Sequence, residues 1–224
     1  MTALDLPLPA DPTLDEMRAS LGPAIAREAV FDGWSEAALA NAARALGLDP
    51  AHARLAFPDG ATGMIAAWYD AIDAALTRDF PPERVAAMKI RDRIGTLVRA
   101  RLDYLRPQRQ AARAAVAHLA RPGQIAAGAR LGWRAADTMW RLAGDTATDF
   151  NHYSKRATLA AIYAATLLVW LDDESEGESE TAGFLARRLA GVMRFGKIKA
   201  QLLPSAERRF SLTRLAGRLR YPAL

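Results

Sequence analysis

The sequence predicts an all-α protein of about ten helices. No stretch alternates apolar and polar residues with the period of two that a strand requires, and Ala and Leu dominate the chain. Pro and Gly residues divide the apolar pattern into segments of helical length. An apolar fraction of 51% over 224 residues is enough for a sizeable core.

Capping residues mark the first helices. Thr13 (or Asp11) caps the first helix and Ser35 the second. Asp49-Pro50 supplies both an N-cap and a first-position proline to the third, and a Pro- and Gly-containing turn separates the third from the fourth. We therefore expect helices at about 13–32, 36–46, 50–57 and 61–80.

Prolines and an acidic loop mark the remaining helices. Pro82 starts the fifth helix, Pro107 the sixth, and Pro122-Gly123 precedes the seventh. The acidic run 172–178 lacks the spacing of a calcium-binding loop, and its like charges repel, so we expect a solvated loop. We therefore expect helices at about 82–105, 107–119, 124–142, 149–171, 180–203 and 205–220.

The first three helices have the proportions of a helix-turn-helix module, and long helices follow them as in TetR-type repressors. The candidate recognition helix, 50–57, offers only His52 and Arg54 to DNA, and acidic residues flank it. We therefore expect residues 1–80 to be a degenerate module that binds no nucleic acid. A TetR-type regulator with a hydrophobic effector stays open as the alternative.

The sequence contains no catalytic constellation. His52, His118 and His152 do not have the spacing of metal ligands. Cys is absent, which excludes disulfides and thiolate sites, and there is no phosphate-binding Gly-rich loop or Gly-x-Ser-x-Gly turn. We therefore expect a protein that is not an enzyme and that holds no metal or cofactor.

Basic charge is concentrated near the C-terminus. Residues 181–224 contain ten Lys or Arg and one acidic residue, whereas residues 1–180 contain 20 basic and 24 acidic residues. In the helix 205–220 a leucine stripe lies between arginines, which is typical of a helix at an anionic membrane surface. Packing against its own domain or a second subunit is the alternative. The expected membrane-contact residues are Arg209, Leu212, Arg214, Leu215, Arg218 and Leu219.

A polar, aromatic block precedes the long apolar eighth helix. The block and the helices on either side of it carry four motifs. They are Asp137-x-Met139-Trp140, Ala143-Gly144-Asp145, Asp149-Phe150-Asn151-x-Tyr153-x-x-Arg156 and Leu159-Ala160-x-Ile162-Tyr163. With these motifs the segment 137–199 resembles the ubiquinone biosynthesis accessory proteins of the Coq nine type. The resemblance implies a TetR-like bundle without repressor function, an apolar cavity for an isoprenoid or quinone lipid, and a terminal amphipathic helix that contacts the membrane. It also implies a partner, the di-iron demethoxyubiquinone hydroxylase, to which a ubiquinone precursor is handed.

The resemblance assigns a partner-binding patch to one set of residues. At His152 this chain departs from the family, which often has Trp there, and Trp is the stronger interface anchor. The patch consists of Asp137, Met139, Trp140, Asp149, His152, Tyr153 and Arg156. A second set, for which core packing is the alternative, is expected to line the lipid cavity. This set is Trp68, Ile72, Trp133, Ile162, Leu167 and Trp170.

The expected organisation follows from these assignments. Residues 81–203 form a helical lipid-binding domain after the module of residues 1–80, and residues 205–220 contact the membrane. A homodimer is expected by analogy with TetR-like folds. The first residues lack the features of a signal or transit peptide, and the apolar run 157–171 is short for a membrane span. The expected location is therefore the bacterial cytoplasm, peripheral on the inner face of the membrane.

Overall fold

The computed structural model describes Leu4, residues 7–146 and residues 150–202, with side chains described up to residue 192 except that of Phe150. Asp149, the predicted helix 205–220 and its six membrane-contact residues lie outside the described residues. The described part is helical without strands, which confirms the all-α prediction. Its helices are α1 Leu14–Asp32, α2 Glu36–Ala45, α3 Pro50–Leu55, α4 Gly60–Asp79, α5 Pro82–Val85, α6 Ile90–Leu105, α7 Arg109–Leu119, α8 Ile125–Leu142, α9 Phe150–Asp172 and α10 Ser179–Leu202.

The predicted caps start the first three helices. Thr13 and Glu16 form a reciprocal capping box, in which the Thr13 amide donates to the Glu16 carboxylate over 2.8 Å. The Ser35 hydroxyl accepts the Ala38 amide over 3.2 Å, and Asp49 caps α3 in the same way. These starts depend on side chains within three residues of the helix, which is why the sequence predicted them well.

The single fifth helix predicted at 82–105 is wrong, because the chain breaks into α5 and α6. Lys89 has extended backbone angles, φ −66° and ψ 148°, which end any continuous helix. The Arg93 guanidinium donates to the carbonyls of Ala86 and Met88, and also to that of Ala143 over 2.8 Å. Arg93 therefore satisfies carbonyls that the break releases from helical bonding, and its bond to Ala143 ties the break to a distant segment.

The acidic run 172–178 is exposed at four of its seven residues, as its charge predicted, but it is more ordered than a self-repelling loop. The Asp173 carboxylate is buried and accepts the Ser175 and Thr181 amides over 2.9 and 2.8 Å. Hydrogen bonds from the Ser175 and Thr181 hydroxyls, together with these amide bonds, hold the pKa of Asp173 well below its usual range. Glu178 accepts the Arg106 guanidinium over 2.9 Å. Donors from the next helix and a distant arginine therefore order a segment whose own charges repel.

The core of the first helices is apolar and closely packed. α1 lies against α2 and α4, and the Cβ that Ala would add at Gly22 lies 2.7 Å from the Ala67 carbonyl carbon. The Trp34 and Trp68 rings pack against each other at a tilt of 39°, with ring centroids 5.4 Å apart. Only a glycine at position 22 permits the α1 and α4 backbones to approach this closely.

The chain divides at residue 185. Residues up to Leu185 form one compact unit, and Ala186 begins a second. Within the first unit α8 and α9 pair closely, and α8 also contacts α4, α6 and α7. None of the described helices has the length and apolar character needed to cross a bilayer.

Candidate functional site

Buried ion pairs join the end of α8 to the start of α9. Arg156 is 2% exposed, and its Nε donates to Asp137 over 2.5 Å. Its Nη1 donates to Asp145 over 3.1 Å and to the His152 carbonyl over 3.2 Å. Lys155 donates to the other oxygen of Asp145 over 2.7 Å. The network fixes the orientation of the first turns of α9.

Asp145 stays ionised in this network. Burial acts to raise the pKa of its carboxyl, but the hydrogen bonds and charges of Lys155 and Arg156 outweigh burial and hold the pKa below its usual range. A buried carboxylate and guanidinium stabilise each other only while both partners are present. The network is therefore a structural support for the surface above it.

An aromatic patch lies on that surface. We define it as Trp133, Trp140, His152 and Tyr153. Tyr153 is 61% exposed, and its ring centroid lies 6.2 Å from that of Trp133 and 5.1 Å from that of His152. Trp140 donates its indole N–H to the Lys155 carbonyl over 3.1 Å, which fixes its ring. Exposed aromatic side chains held in fixed positions are typical anchors of protein interfaces.

The structure separates the predicted partner-binding residues into two layers. Asp137, Trp140, His152 and Tyr153 reach the surface, and Asp149 lies outside the described residues. Met139 and Arg156 are buried. A buried side chain cannot contact a partner, so the predicted direct contacts of these two are corrected to support from beneath.

Trp133 lies on the aromatic patch, although it was predicted to line the lipid cavity. Its half-buried ring faces Tyr153, on the side of α8 that also presents Asp137 and Trp140. The sequence contained this signal, because 133, 137 and 140 follow the i, i+4, i+7 spacing of one helix face.

An apolar groove of about 190 Å³ lies among α4, α6, α7, α8 and α9. Bulky residues form its walls. Gly132 also lines the groove, and because it has no side chain the space beside its Cα stays open. Leu168, which is 54% exposed, lies on its rim. The bulky wall residues are Val116, Leu119, Leu131, Leu167 and Leu168.

The groove also has polar lining, which sequence reasoning missed. Tyr69, Arg101 and Tyr163 line it, and each is at least nine-tenths buried. Within the part of the chain that the structure describes, both phenol oxygens and the Arg101 Nε lack a hydrogen-bond partner. Burial raises the pKa of Tyr69, so its phenol stays neutral. The sequence held one signal for this polar lining, which is that the charged residue Arg101 lies between apolar core positions of α6.

The six predicted lipid-lining residues do not meet around this groove. Leu167 is in its wall. Trp68 and Ile72 are fully buried within the core, as is Trp170, whose indole N–H donates to a glutamate of the acidic loop. Ile162 is buried in α9. Helical periodicity identified these residues as buried without distinguishing a core from a cavity wall.

Metal ligation has no support in the described residues. There, no three His, Asp or Glu side chains come close enough to hold a metal ion.

Comparison with known proteins adds the family. Residues 125–196 match the COQ9 family model. The chain is 34% identical over 182 residues to the ubiquinone biosynthesis protein COQ9, mitochondrial, of Bos taurus, and 32% identical over 186 residues to that of Homo sapiens. The chain is a relative of the COQ9 proteins. The predicted resemblance is thereby confirmed. Each alignment covers 78% of this chain, and the chain spans 57% of the length of each COQ9 relative.

The fold has a counterpart among solved structures. The crystal structure of the TetR transcriptional regulator from Nitrosomonas europaea matches with a TM-score of 0.62 and 24% sequence identity. The match covers 78% of this chain and 96% of that one. It confirms the TetR-like fold, and at this identity it shows the fold alone.

The predicted bacterial cytoplasmic location is contradicted. The COQ9 relatives from Bos taurus, Homo sapiens and Rattus norvegicus are mitochondrial proteins. The prediction relied on the first residues of a chain that spans little more than half of these relatives, and such a chain start carries no argument about targeting.

Proposed function

We propose that this protein is a non-enzymatic accessory protein of ubiquinone biosynthesis, which binds a ubiquinone precursor or another isoprenoid lipid and presents it to a hydroxylase. The relationship to the COQ9 proteins supports the role in ubiquinone biosynthesis. One structural observation carries the presenting step: α8 and α9 hold the apolar groove and the aromatic patch together.

The two features use neighbouring residues of α8. Leu131 and Gly132 line the groove, and the next residue, Trp133, belongs to the aromatic patch. Successive residues of a helix point in directions about 100° apart, and the whole helix is about 10 Å across. A cargo in the groove is therefore about one helix width from a protein bound at the patch.

The aromatic patch is suited to a protein partner. Tyr153 and Trp133 provide apolar area, and the ion pair between Asp137 and Arg141, 2.8 Å long, adds polar groups at the edge. Aromatic anchors with a polar rim are the residues on which binding energy concentrates. By resemblance the partner is the di-iron demethoxyubiquinone hydroxylase, with His152 standing where the family often has Trp.

Substitution of Tyr153 tests the presenting step. Since a central aromatic anchor contributes about 2 kcal/mol or more, Tyr153→Ala should weaken binding of the purified hydroxylase by roughly thirtyfold. Phe31→Ala is the matched control, because Phe31 is an exposed aromatic residue on α1. Calorimetric titration of each variant measures the two affinities. Equal affinities for wild type and Tyr153→Ala would remove the patch from the proposal.

The membrane contact and the homodimer stay part of the proposal. The leucine stripe and flanking arginines of 205–220 support contact with an anionic membrane surface. Flotation with anionic vesicles should be lost when residues 205–224 are deleted, and unchanged flotation would contradict that contact. Sedimentation of the full chain tests the dimer. Salt-sensitive binding to duplex DNA would instead favour the regulator alternative.

A further inference from the structure

The size of the groove limits what it can enclose. Its volume is about 190 Å³. A cavity of about 150 Å³ holds one benzene ring, whereas pockets for drug-sized ligands begin at about 300 Å³. The groove therefore has room for one six-membered ring with small substituents. A polyprenyl tail does not fit within it.

The polar groups of the groove call for a ligand with acceptor oxygens. The hydroxyls of Tyr69 and Tyr163 and the Nε of Arg101 are buried donors without partners in the described residues. A buried donor without an acceptor is unfavourable, and native proteins retain few of them. An oxygen-bearing ligand would satisfy these groups, whereas a hydrocarbon tail would leave them unsatisfied.

The arrangement also indicates a neutral ligand. Arg101 donates to Asp73, which balances its charge. Its guanidinium lies over the Tyr163 ring, 5.2 Å from the centroid, and this cation–π contact positions the phenol. Burial keeps Tyr69 protonated, so its hydroxyl can donate. A paired arginine and two neutral phenols suit carbonyl or ether oxygens better than a free carboxylate or phosphate.

We propose that the groove is a ring-binding site, in which Tyr69 and Tyr163 donate hydrogen bonds to the oxygens of a quinone or alkoxyphenol ring that enters first. The tail then leaves past the exposed rim residue Leu168 and stays outside the groove. This inference rests on the proposed lipid-binding function. It makes the ring the enclosed part, where sequence reasoning expected shelter for the tail.

Two probes separate the ring from the tail. The ring probe is 2,3-dimethoxy-5-methyl-1,4-benzoquinone, which has no tail, and the tail probe is geranylgeraniol, which has no ring. The chain contains no Cys that would react with the quinone. Calorimetric titration of the full chain with each probe gives both affinities.

The variants Tyr69→Phe and Tyr163→Phe test the donors. Loss of one hydrogen bond should weaken binding of the ring probe by roughly tenfold in each variant, and more in the double variant. Any binding of geranylgeraniol should be the same in these variants as in the wild type, because the tail stays outside the groove. Tyr104→Phe is the matched control, since the Tyr104 hydroxyl donates to Asp79 over 2.6 Å away from the groove lining. It should bind the ring probe as the wild type does.

The outcomes are distinguishable. If the ring probe binds wild type and the double variant equally, the donor assignment is overturned. If geranylgeraniol binds and the ring probe does not, the ring-first inference fails while the lipid-binding function stands. If neither probe binds, the proposed lipid-binding function fails as well. Thermal melting of the ligand-free variants checks folding, because removing an unpartnered hydroxyl should leave the melting temperature equal or higher.

Discussion

The helices before residue 80 and those between residues 90 and 172 bury different kinds of side chain. In the first region the core cluster of α1 to α4 consists of Ala, Leu, Ile, Met and Phe, and the buried residues with polar groups described there, such as Ser20 and Tyr69, carry no charge. The second region buries Arg101 and Arg156, and Asp173 follows directly after it. The helix-turn-helix layout of the first region is thus held by apolar packing, whereas the second region adds buried, paired charges to its own apolar core.

This difference separates a scaffold from a site. Burying a charge is unfavourable unless it is paired, so a fold that needed only stability could use apolar residues instead. The buried arginines lie beneath the aromatic patch and beside the groove, which are the two surfaces on which the proposed function depends. Buried charge therefore located the candidate site better than apolar patterning did.

The strongest test of the comparison is removal of one buried arginine. Arg156→Ala removes the guanidinium that Asp137 and Asp145 share. Asp137 keeps its pair with Arg141, and Asp145 keeps its pair with Lys155. Breaking a buried pair typically destabilises by about 3–5 kcal/mol, and with these partners retained the loss should lie near the low end, at about 3 kcal/mol. Urea unfolding measures the change.

The control Arg54→Ala breaks an exposed pair with Glu36 in the first region and should change stability by about 0.5 kcal/mol or less. Similar losses in both variants would contradict the distinction.

A second test addresses shape in the first region. Gly22→Ala places a Cβ against the α4 backbone, 2.7 Å from the Ala67 carbonyl carbon, so one helix must move. Overpacking of this kind should lower the unfolding free energy by about 1–3 kcal/mol. Gly132→Ala is the control, because its added Cβ meets no atom within 4 Å. That variant should gain roughly 0.5–1 kcal/mol from helix propensity. A neutral Gly22→Ala would show that α1 and α4 approach less closely than described.

A smaller effect should follow loss of a local cap. Thr13→Ala removes the capping box with Glu16 and should cost about 1 kcal/mol of unfolding free energy. Thr13→Ser retains the hydroxyl and should stay close to wild type. Urea unfolding of both variants measures the difference. A cap that can be removed without effect would mean that packing alone places the start of α1.

Acid should lower the unfolding free energy through carboxylates whose pKa is lowered in the folded state, with the smallest effect near neutral pH. Asp145 and Asp173 have lowered pKa values in the folded state, so below the usual carboxyl pKa of about 4 the unfolded state binds more protons. The unfolding free energy should stay level between about pH 7 and 5 and then fall as the pH decreases further.

Urea unfolding at stepped pH checks this direction. Asp173→Asn should reduce the acid-dependent fall, whereas Asp11→Asn, at an exposed carboxylate, should follow the wild-type profile. Stability that rises as the pH falls below about 4 would contradict the assignment of these two carboxylates.

Local side chains explain how much of this protein could be predicted. The starts of α1, α2 and α3 depend on caps within three residues, and the family motif identified Tyr153 and Trp140. The break between α5 and α6 could not be predicted in the same way. There the carbonyls are satisfied by Arg93, whose third bond goes to a carbonyl 50 residues away.

The all-α fold class, most helix starts and the family were already present in the order of residues, because caps, periodicity and motifs act over a few positions. Which residues meet in space was not. Tyr69, Arg101 and Tyr163 come from α4, α6 and α9, and they line one groove only because those helices pack together. Arg156 became a buried support because Asp137 and Asp145 surround it. Packing between distant segments sets burial and pairing, and these decide whether a charged side chain faces a partner or supports the surface that does.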